Sequence, residues 1–190
     1  MLVRSSLNRH TNQEKVLFAA PTFHTFIRDR SWLNICGCAE ALAPVVAEHY
    51  GAGRRGGVMT LLEPDGILNV FTQLEIGIPD QTKLGRYFAI SLEKAVRTAR
   101  LGADNSWNAE RNPEMSQYGG AFKLPWLPLI VSFSGWSEID DIVFTAYVLR
   151  RAGVLRESDI DVVFRQHENI SLQLISRHEE FCAMCDLVVV

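Results

Sequence analysis

The 190-residue sequence has no run of eighteen or more apolar residues, so no membrane-spanning helix is expected. Its N-terminus has no apolar core of the secretory type. Lys and Arg number 19 against 22 Asp and Glu, a net charge of −3, and a chain without basic excess is not expected to bind nucleic acid. We therefore expect a cytoplasmic protein. The stretch MLVRSSLNRHTNQ, with Arg and Ser but no acidic residue, keeps a mitochondrial location as the alternative.

Cysteine is scarce, and the four present form two close pairs, Cys36 and Cys38 in CGC and Cys182 and Cys185 in CAMC. A CxxC pair can be redox-active or can bind zinc. The two pairs are about 145 residues apart, however, which is not the spacing of a compact zinc finger. We expect small buried thiols on apolar helix faces. If the tail helix folds back on the first helix, the alternative is one zinc site made by all four.

The common catalytic motifs are also lacking: there is no nucleophile elbow, P-loop, dinucleotide fingerprint or metalloprotease helix. The five histidines are scattered and have no ligand spacing. The acidic residues near Trp136 are expected to be first-turn and surface charges rather than an acid–base pair; they are Glu138, Asp140, Asp141 and Glu157. The residues alone leave open whether the chain is an enzyme.

In the first half of the chain, residues 32–51 predict a helix that has His49 on its apolar face and a kink or break at Pro44. Residues 56–75 predict a β-hairpin around the turn Glu63-Pro64-Asp65-Gly66. Residues 86–102 predict a second helix whose apolar stripe faces inward and whose other side carries a Glu93–Arg97 pair. The polar stretch 103–117 predicts an irregular segment that moves.

In the second half, GGAFKL and LIVSFSG predict two strands joined through Pro125-Trp126-Leu127-Pro128. A helix should follow, capped by Ser137 and ending near Gly153. Beyond residue 156 an amphipathic helix and the apolar end LVVV are expected. Short connections require antiparallel neighbours. We therefore predict an α/β fold of the α+β type, in which helices flank a mostly antiparallel sheet of two hairpins.

Three stretches resemble the GlcG-like superfamily, which includes the PduO C-terminal domain and the haem-binding HbpS proteins. They are VMTLLEPDGILNVF, the helix SLEKAVRTA, and the Gly-led hairpin that ends in a V-S-G-like step before an acidic helix start. NPEMSQYGGAF is still more similar to the uncharacterised haem-degrading-domain subgroup. The resemblance covers roughly residues 18–153. It departs from the family at Pro-Trp-Leu-Pro, at Trp136, and in the tail.

The resemblance implies a profilin/PAS-like layout, with a GlcG/PduO-C-like domain at 18–155 between an N-terminal extension (1–17) and a C-terminal helical extension (156–190). It also implies a homo-oligomer. The expected function is binding, or slow degradation, of haem or a related small molecule. A non-catalytic oligomeric scaffold that binds a partner is the alternative. Trp126 and LVVV, if exposed, would favour self-association.

Candidate ligand-binding residues follow from the same stretches, and each has a structural alternative. Gly119, Gly120 and Gly135 allow either a close ligand or a positive φ. Ser132 and Ser134 line a pocket or cap a helix. Lys94 matches the superfamily's helix lysine or is a surface residue. His49 reaches a cavity or packs in the core. Apolar walls for a flat ligand are expected from Phe122, Phe133 and Trp136, with 103–117 as a lid.

Overall fold

The computed structural model describes residues 3–9, 11–17, 23–51, 55–65, 68–125, 127–166 and 170–185. In these ranges the strands are β1 (Val3–Arg9), β2 (Thr11–Leu17), β3 (Gly56–Asp65), β4 (Leu68–Gly77), β5 (Ala121–Lys123) and β6 (Ile130–Ser134). The helices are α1 (Phe23–Tyr50), α2 (Leu84–Leu101), α3 (Glu138–Arg151), α4 (Glu157–Arg165) and α5 (Ser171–Cys185). No helix among these residues is long and apolar enough to cross a membrane.

The two predicted hairpins form one antiparallel sheet in the order β4-β3-β6-β5, which confirms the α+β fold. The first hairpin pairs β3 with β4 from Gly56↔Gly77 to Asp65↔Leu68, so β3 continues through Pro64 and Asp65, which the sequence assigned to the turn. The two hairpins join through β3 and β6, which are antiparallel. β1 and β2 make a separate hairpin within the expected N-terminal extension.

Helices cover both faces of this sheet. α2 packs on one face, which we call the α2 face; α1 and α3 pack on the other, the α1/α3 face. Because side chains alternate along a strand, neighbouring residues of β3 and β6 point to opposite faces. The α2 face receives Thr60, Leu62, Ile130 and Ser132, and the α1/α3 face receives Met59, Leu61, Val131 and Phe133.

α1 begins nine residues earlier than predicted and continues through Pro44, so the expected break is wrong. Pro44 lies on the exposed side, whereas Leu42, Ala43 and Val46 are buried. A proline in a helix removes one backbone hydrogen bond. The packing of the buried face holds the two halves of α1 in one helix despite that loss.

α2 ends where the sequence predicts, and α3 begins where the sequence predicts. Gly102 closes α2 in the left-handed conformation (φ 63°). The Ser137 hydroxyl accepts a hydrogen bond from the Asp140 N–H at 3.3 Å and caps α3. The ten residues from Asp140 to Leu149 are all buried, because the sheet, α1 and α5 surround α3. This helix is therefore central rather than amphipathic.

The tail forms two helices, α4 and α5, where the sequence predicts one. α5 packs against α3 and α1, and its Leu174 and Phe181 are fully buried in the same core as Ile35 and Phe144. The region 156–185 thus extends the core of the domain. Trp126 and the LVVV sequence at 187–190 lie outside the described residues.

Candidate functional site

A cleft with a volume of about 640 Å³ opens where β6 ends and α3 begins. We call it the β6–α3 cleft. Its lining comes from the end of α1, the start of α2, the loop before β5 and the β6–α3 turn. The lining residues are Tyr50, Lys83, Arg86, Tyr87, Ile90, Tyr118, Ser134, Gly135, Trp136, Ser137, Glu138 and Asp141. Three predicted site residues, Ser134, Gly135 and Trp136, therefore meet in one cavity.

A buried ion pair lies behind this cleft. The Lys94 Nζ donates to Asp141 Oδ2 and to the Phe133 carbonyl, both at 2.8 Å. Lys94 is fully buried, so it is neither a surface lysine nor a residue that lines the cleft. Burial raises the pKa of Asp141 to about 6, against the opposing effect of the Lys94 ammonium and the Trp136 and Gly135 amides. Asp141 is mostly ionised at neutral pH.

Asp141 also organises the β6–α3 turn. Its Oδ1 accepts the Trp136 N–H at 2.9 Å, and the Gly135 N–H binds the same carboxylate. Small-residue turns can present free amides to an anion. Here the protein's own carboxylate takes these amides, so the turn does not form an anion site. Asp140 and Asp141, expected at the surface, are both buried, since α3 is covered on all sides.

The three candidate glycines are explained by packing. A Cβ on Gly135 would lie 2.6 Å from the Gly56 carbonyl oxygen, and one on Gly119 would lie 2.8 Å from Ile142 Cδ1. Gly120 has a φ of 107°, which side chains disfavour, and a Cβ there would lie 3.1 Å from Lys94 Nζ. Gly119 and Gly120 do not line the β6–α3 cleft.

The space above the small polar residues of β6 is filled by α2. The Ser91 hydroxyl lies 2.7 Å from Thr60 Oγ1 and 3.0 Å from Ser132 Oγ. Ser132 Oγ donates to the Ser91 carbonyl at 2.6 Å, and the Gln73 side-chain amide donates to Thr60 Oγ1 at 2.9 Å. Ser132 is therefore part of a buried hydroxyl network. Of the two serines, only Ser134 reaches the cleft.

Of the three expected aromatic walls, Trp136 alone lines the cleft. Its ring is half-buried and packs edge-on against Phe133 and Phe144, with centroid distances of 4.9 and 4.5 Å. Phe122 and Phe133 are buried core residues and do not line this cleft; Phe122 lines a separate cavity of about 360 Å³ beside β5 and α4. The aromatic rings that accompany Trp136 are instead those of Tyr50, Tyr87 and Tyr118.

The uncompensated charge in the cleft is positive. Glu138 is neutralised by Arg111, whose Nη2 lies 2.6 Å from Glu138 Oε2, and it also accepts the Gly119 N–H. Lys83 has a weak contact with Asp80 at 3.4 Å. Arg86 has no acidic partner among the described residues. An anion that enters the cleft would therefore meet Arg86 first.

The segment 103–117 is irregular but anchored. Arg97 is buried, not on a polar surface as predicted. Its guanidinium donates to the carbonyls of Ser106 (2.6 Å), Ala109 and Tyr118 (2.7 Å), and its Nε binds Glu93 at 2.6 Å. A buried cation that binds three loop carbonyls ties the loop to α2. These contacts argue against a lid.

His49 does not occupy an apolar face or a cavity. Its side chain is half exposed, and Nε2 lies 3.5 Å from Glu180 Oε1. The neighbouring Tyr50 takes the inward position and stacks on Phe181, with ring centroids 5.8 Å apart. Among the residues that the structure describes, no histidine or cysteine lines the β6–α3 cleft.

The four cysteines remain thiols, and α5 does pack on α1. Cys36 and Cys185 are buried, in agreement with the expectation of buried thiols, whereas Cys38 and Cys182 are partly exposed. No group of three or more metal-binding side chains occurs among the described residues, which include all four cysteines. The four-cysteine zinc site is therefore wrong.

Comparison with known proteins adds no relative: no family model, no curated protein and no solved structure matches this chain.

Arg86, Tyr87 and Asp141 line the cleft but were not predicted from the sequence as cleft residues. One usable signal was present in α2: Ser91, Lys94, Ala95 and Thr98 follow the helical offsets of three, four and seven, and all four are buried. Because three of these four residues are polar or charged, a pattern of apolar residues does not indicate that this face of α2 is buried.

Proposed function

We propose that this chain binds a flat, acidic small molecule of the haem or corrinoid class in the β6–α3 cleft, as the resemblance to GlcG-like proteins implies. The observation that carries the proposal is the lining of the cleft: four aromatic side chains and Arg86, which has no acidic partner in the described part of the chain, surround a cavity of about 640 Å³. Ligand sites typically have this size and a few polar groups that orient the ligand. The propionate groups of a tetrapyrrole suit Arg86.

Binding rather than chemistry is the better-supported part of this proposal. Asp141 and Glu138, the two acidic groups of the cleft, already hold Lys94 and Arg111. The serines of the cleft have no histidine beside them in the lining, so they lack a general base of the usual kind. With no histidine in the lining, recognition should depend on the ring and its acid groups rather than on an iron ligand.

Titration of pure protein with haem, followed at the Soret band, tests the proposal. We expect a saturable shift with a Kd below about 50 µM, equivalent to roughly −6 kcal/mol. Iron-free protoporphyrin should bind with similar affinity. Arg86→Ala and Tyr87→Leu should weaken binding of both, while His49→Ala, which changes a half-exposed residue outside the cleft, is the matched control. Absence of a saturable shift, or equal affinity in Arg86→Ala, would contradict the proposal.

The alternative function, an oligomeric scaffold, is favoured by exposed apolar side chains on separate elements. Ile78 is 73% exposed and Leu172 is 80% exposed. Burial of such residues against a second copy is favourable. Light scattering after gel filtration should then give a mass at least twice the chain mass of 21.4 kDa, and Leu172→Lys should lower it. A monomer at micromolar concentration would reject self-association.

A further inference from the structure

One cluster of reactive side chains lies away from the β6–α3 cleft, where α3, α4 and α5 meet. Cys182 is partly exposed on α5, and His178 precedes it by one helical turn. The Cys182 sulfur lies 3.3 Å from Arg150 Nη1 and 3.9 Å from both ring nitrogens of His178. Glu157 Oε1 lies 3.3 Å from His178 Nδ1. These residues belong to three helices, so only the tertiary structure brings them together.

We propose that Cys182 is a reactive thiol that forms mixed disulfides with low-molecular-weight disulfides. Because Glu157 Oε1 lies 3.3 Å from His178 Nδ1, it favours the neutral tautomer with its proton on that nitrogen, and Nε2, 3.9 Å from the sulfur, is then the acceptor for the Cys182 proton. This is the arrangement of a nucleophile, a base and an orienting acid. Arg150 adds a cation at the sulfur, which stabilises the thiolate.

The charges around the cluster favour this role on balance. Burial, the largest effect, lowers the pKa of His178, so the imidazole is neutral and able to accept a proton near pH 7. Glu157 also binds Arg150, with Nε and Oε2 3.0 Å apart, which reduces the effect of the guanidinium. Asp161 of α4 and Glu179 of α5 add negative charge near His178 and favour its imidazolium form once the proton arrives. The Arg150 guanidinium is in direct contact with the sulfur, at 3.3 Å.

The reaction is a thiol–disulfide exchange. His178 Nε2 takes the proton from Cys182, and the thiolate attacks one sulfur of the disulfide reagent. The S–S bond of the reagent breaks, a new S–S bond forms to Cys182, and the leaving thiolate takes the proton from His178. One disulfide bond is lost and one is formed, so no other oxidant is required.

The chain contains its own control in Cys38. Cys38 is also partly exposed, but burial raises the pKa of its thiol, and the charge of Arg151 only partly opposes this.

The test treats the folded protein at pH 7 with 4,4′-dithiodipyridine. This disulfide is neutral, so Arg150 does not attract it by charge. The modified cysteines are identified by peptide mass spectrometry. We expect Cys182 to react at least about tenfold faster than Cys38, with the rate rising at a lower pH than for an ordinary thiol.

Two variants separate reactivity from mere exposure. Arg150→Met should slow Cys182 by about tenfold, and Arg150→Lys, which keeps the charge, should restore part of the rate. Circular dichroism and thermal unfolding establish that each variant is folded. Equal rates for Cys182 and Cys38, or an unchanged Cys182 rate in folded Arg150→Met, would overturn the proposal.

Discussion

The two faces of the sheet are both buried, yet they are held by different interactions. On the α1/α3 face, side chains such as Met59, Val131 and Phe133 pack against apolar helices. On the α2 face, Thr60, Ser132 and Lys94 are fully buried but hydrogen-bonded. The apolar face tolerates changes of shape as long as volume is kept, whereas each polar atom on the other face needs its partner. The β6–α3 cleft opens beside the polar face.

The largest effect should come from breaking the buried ion pair. Lys94→Met leaves the Asp141 carboxylate buried without its cation, and the removal of one partner of such a pair costs about 3–5 kcal/mol. Urea unfolding should show this loss. The double variant Lys94→Met/Asp141→Asn should recover most of the stability, since neither charge is then left unpaired. If the double variant is as unstable as the sum of the single ones, the two residues do not act as a pair.

A matched pair of substitutions on β3 compares the two faces directly. Thr60→Val leaves Gln73 and Ser91 without their shared hydroxyl and should lower the free energy of unfolding by about 2 kcal/mol. Met59→Leu, at the next residue but on the α1/α3 face, conserves volume and should cost less than about 1.5 kcal/mol. If Met59→Leu lowers the free energy of unfolding more than Thr60→Val does, the α1/α3 face is the less tolerant of the two.

Two glycine substitutions should change the stability of the protein in opposite directions. Gly120→Ala places a side chain at φ 107° and beside Lys94, so it should destabilise the protein by at least about 1 kcal/mol. Gly85→Ala, in the first turn of α2 where a Cβ meets nothing within 4 Å, should stabilise it by several tenths of a kcal/mol, up to about 1. Thermal unfolding measures both. A neutral Gly120→Ala would show that the ion pair tolerates a side chain beside it.

A pH dependence should come from the Lys94–Asp141 pair. Asp141 has a folded pKa of about 6, raised above the value of 3.8 expected without burial. The folded state therefore binds the proton more tightly, so this group's contribution to stability is present below about pH 4 and is lost as the pH rises through about 6. The difference in stability between wild type and Asp141→Asn should change across this window, and a constant difference would contradict the raised pKa.

Much of the fold was predictable because its signals are local. The alternation of side chains in LIVSFSG, the Ser137 cap, and Gly102 after α2 each depend on residues within a few positions of one another. These signals correctly predicted both hairpins of the four-stranded sheet, the end of α2 and the start of α3. The predicted break at Pro44 does not occur, because the packing of the buried face of α1 stabilises the helix by more than the one missing hydrogen bond costs.

The site was predicted only in part. Trp136, Gly135 and Ser134 were found because the turn that carries them is a continuous stretch, and this stretch does line the cleft. Arg86 and Tyr87 were missed, since nothing near them in the sequence shows that the start of α2 faces the β6–α3 turn. Phe122 and His49 were expected at the site but do not line this cleft. An aromatic ring or an imidazole has the same local signal whether it faces core, cavity or solvent.

The sequence by itself determined the two hairpins of the four-stranded sheet, the helices α2 and α3 with the residues that cap them, and the antiparallel pairing that short connections require. Only the tertiary structure decided which polar residues are buried, because burial depends on what packs opposite. Lys94 and Asp141 are 47 residues apart and meet at 2.8 Å, and Arg150 and Cys182 are 32 apart and meet at 3.3 Å. Such pairs have no period in the sequence, and they form when helices from distant parts of the chain cover the same sheet.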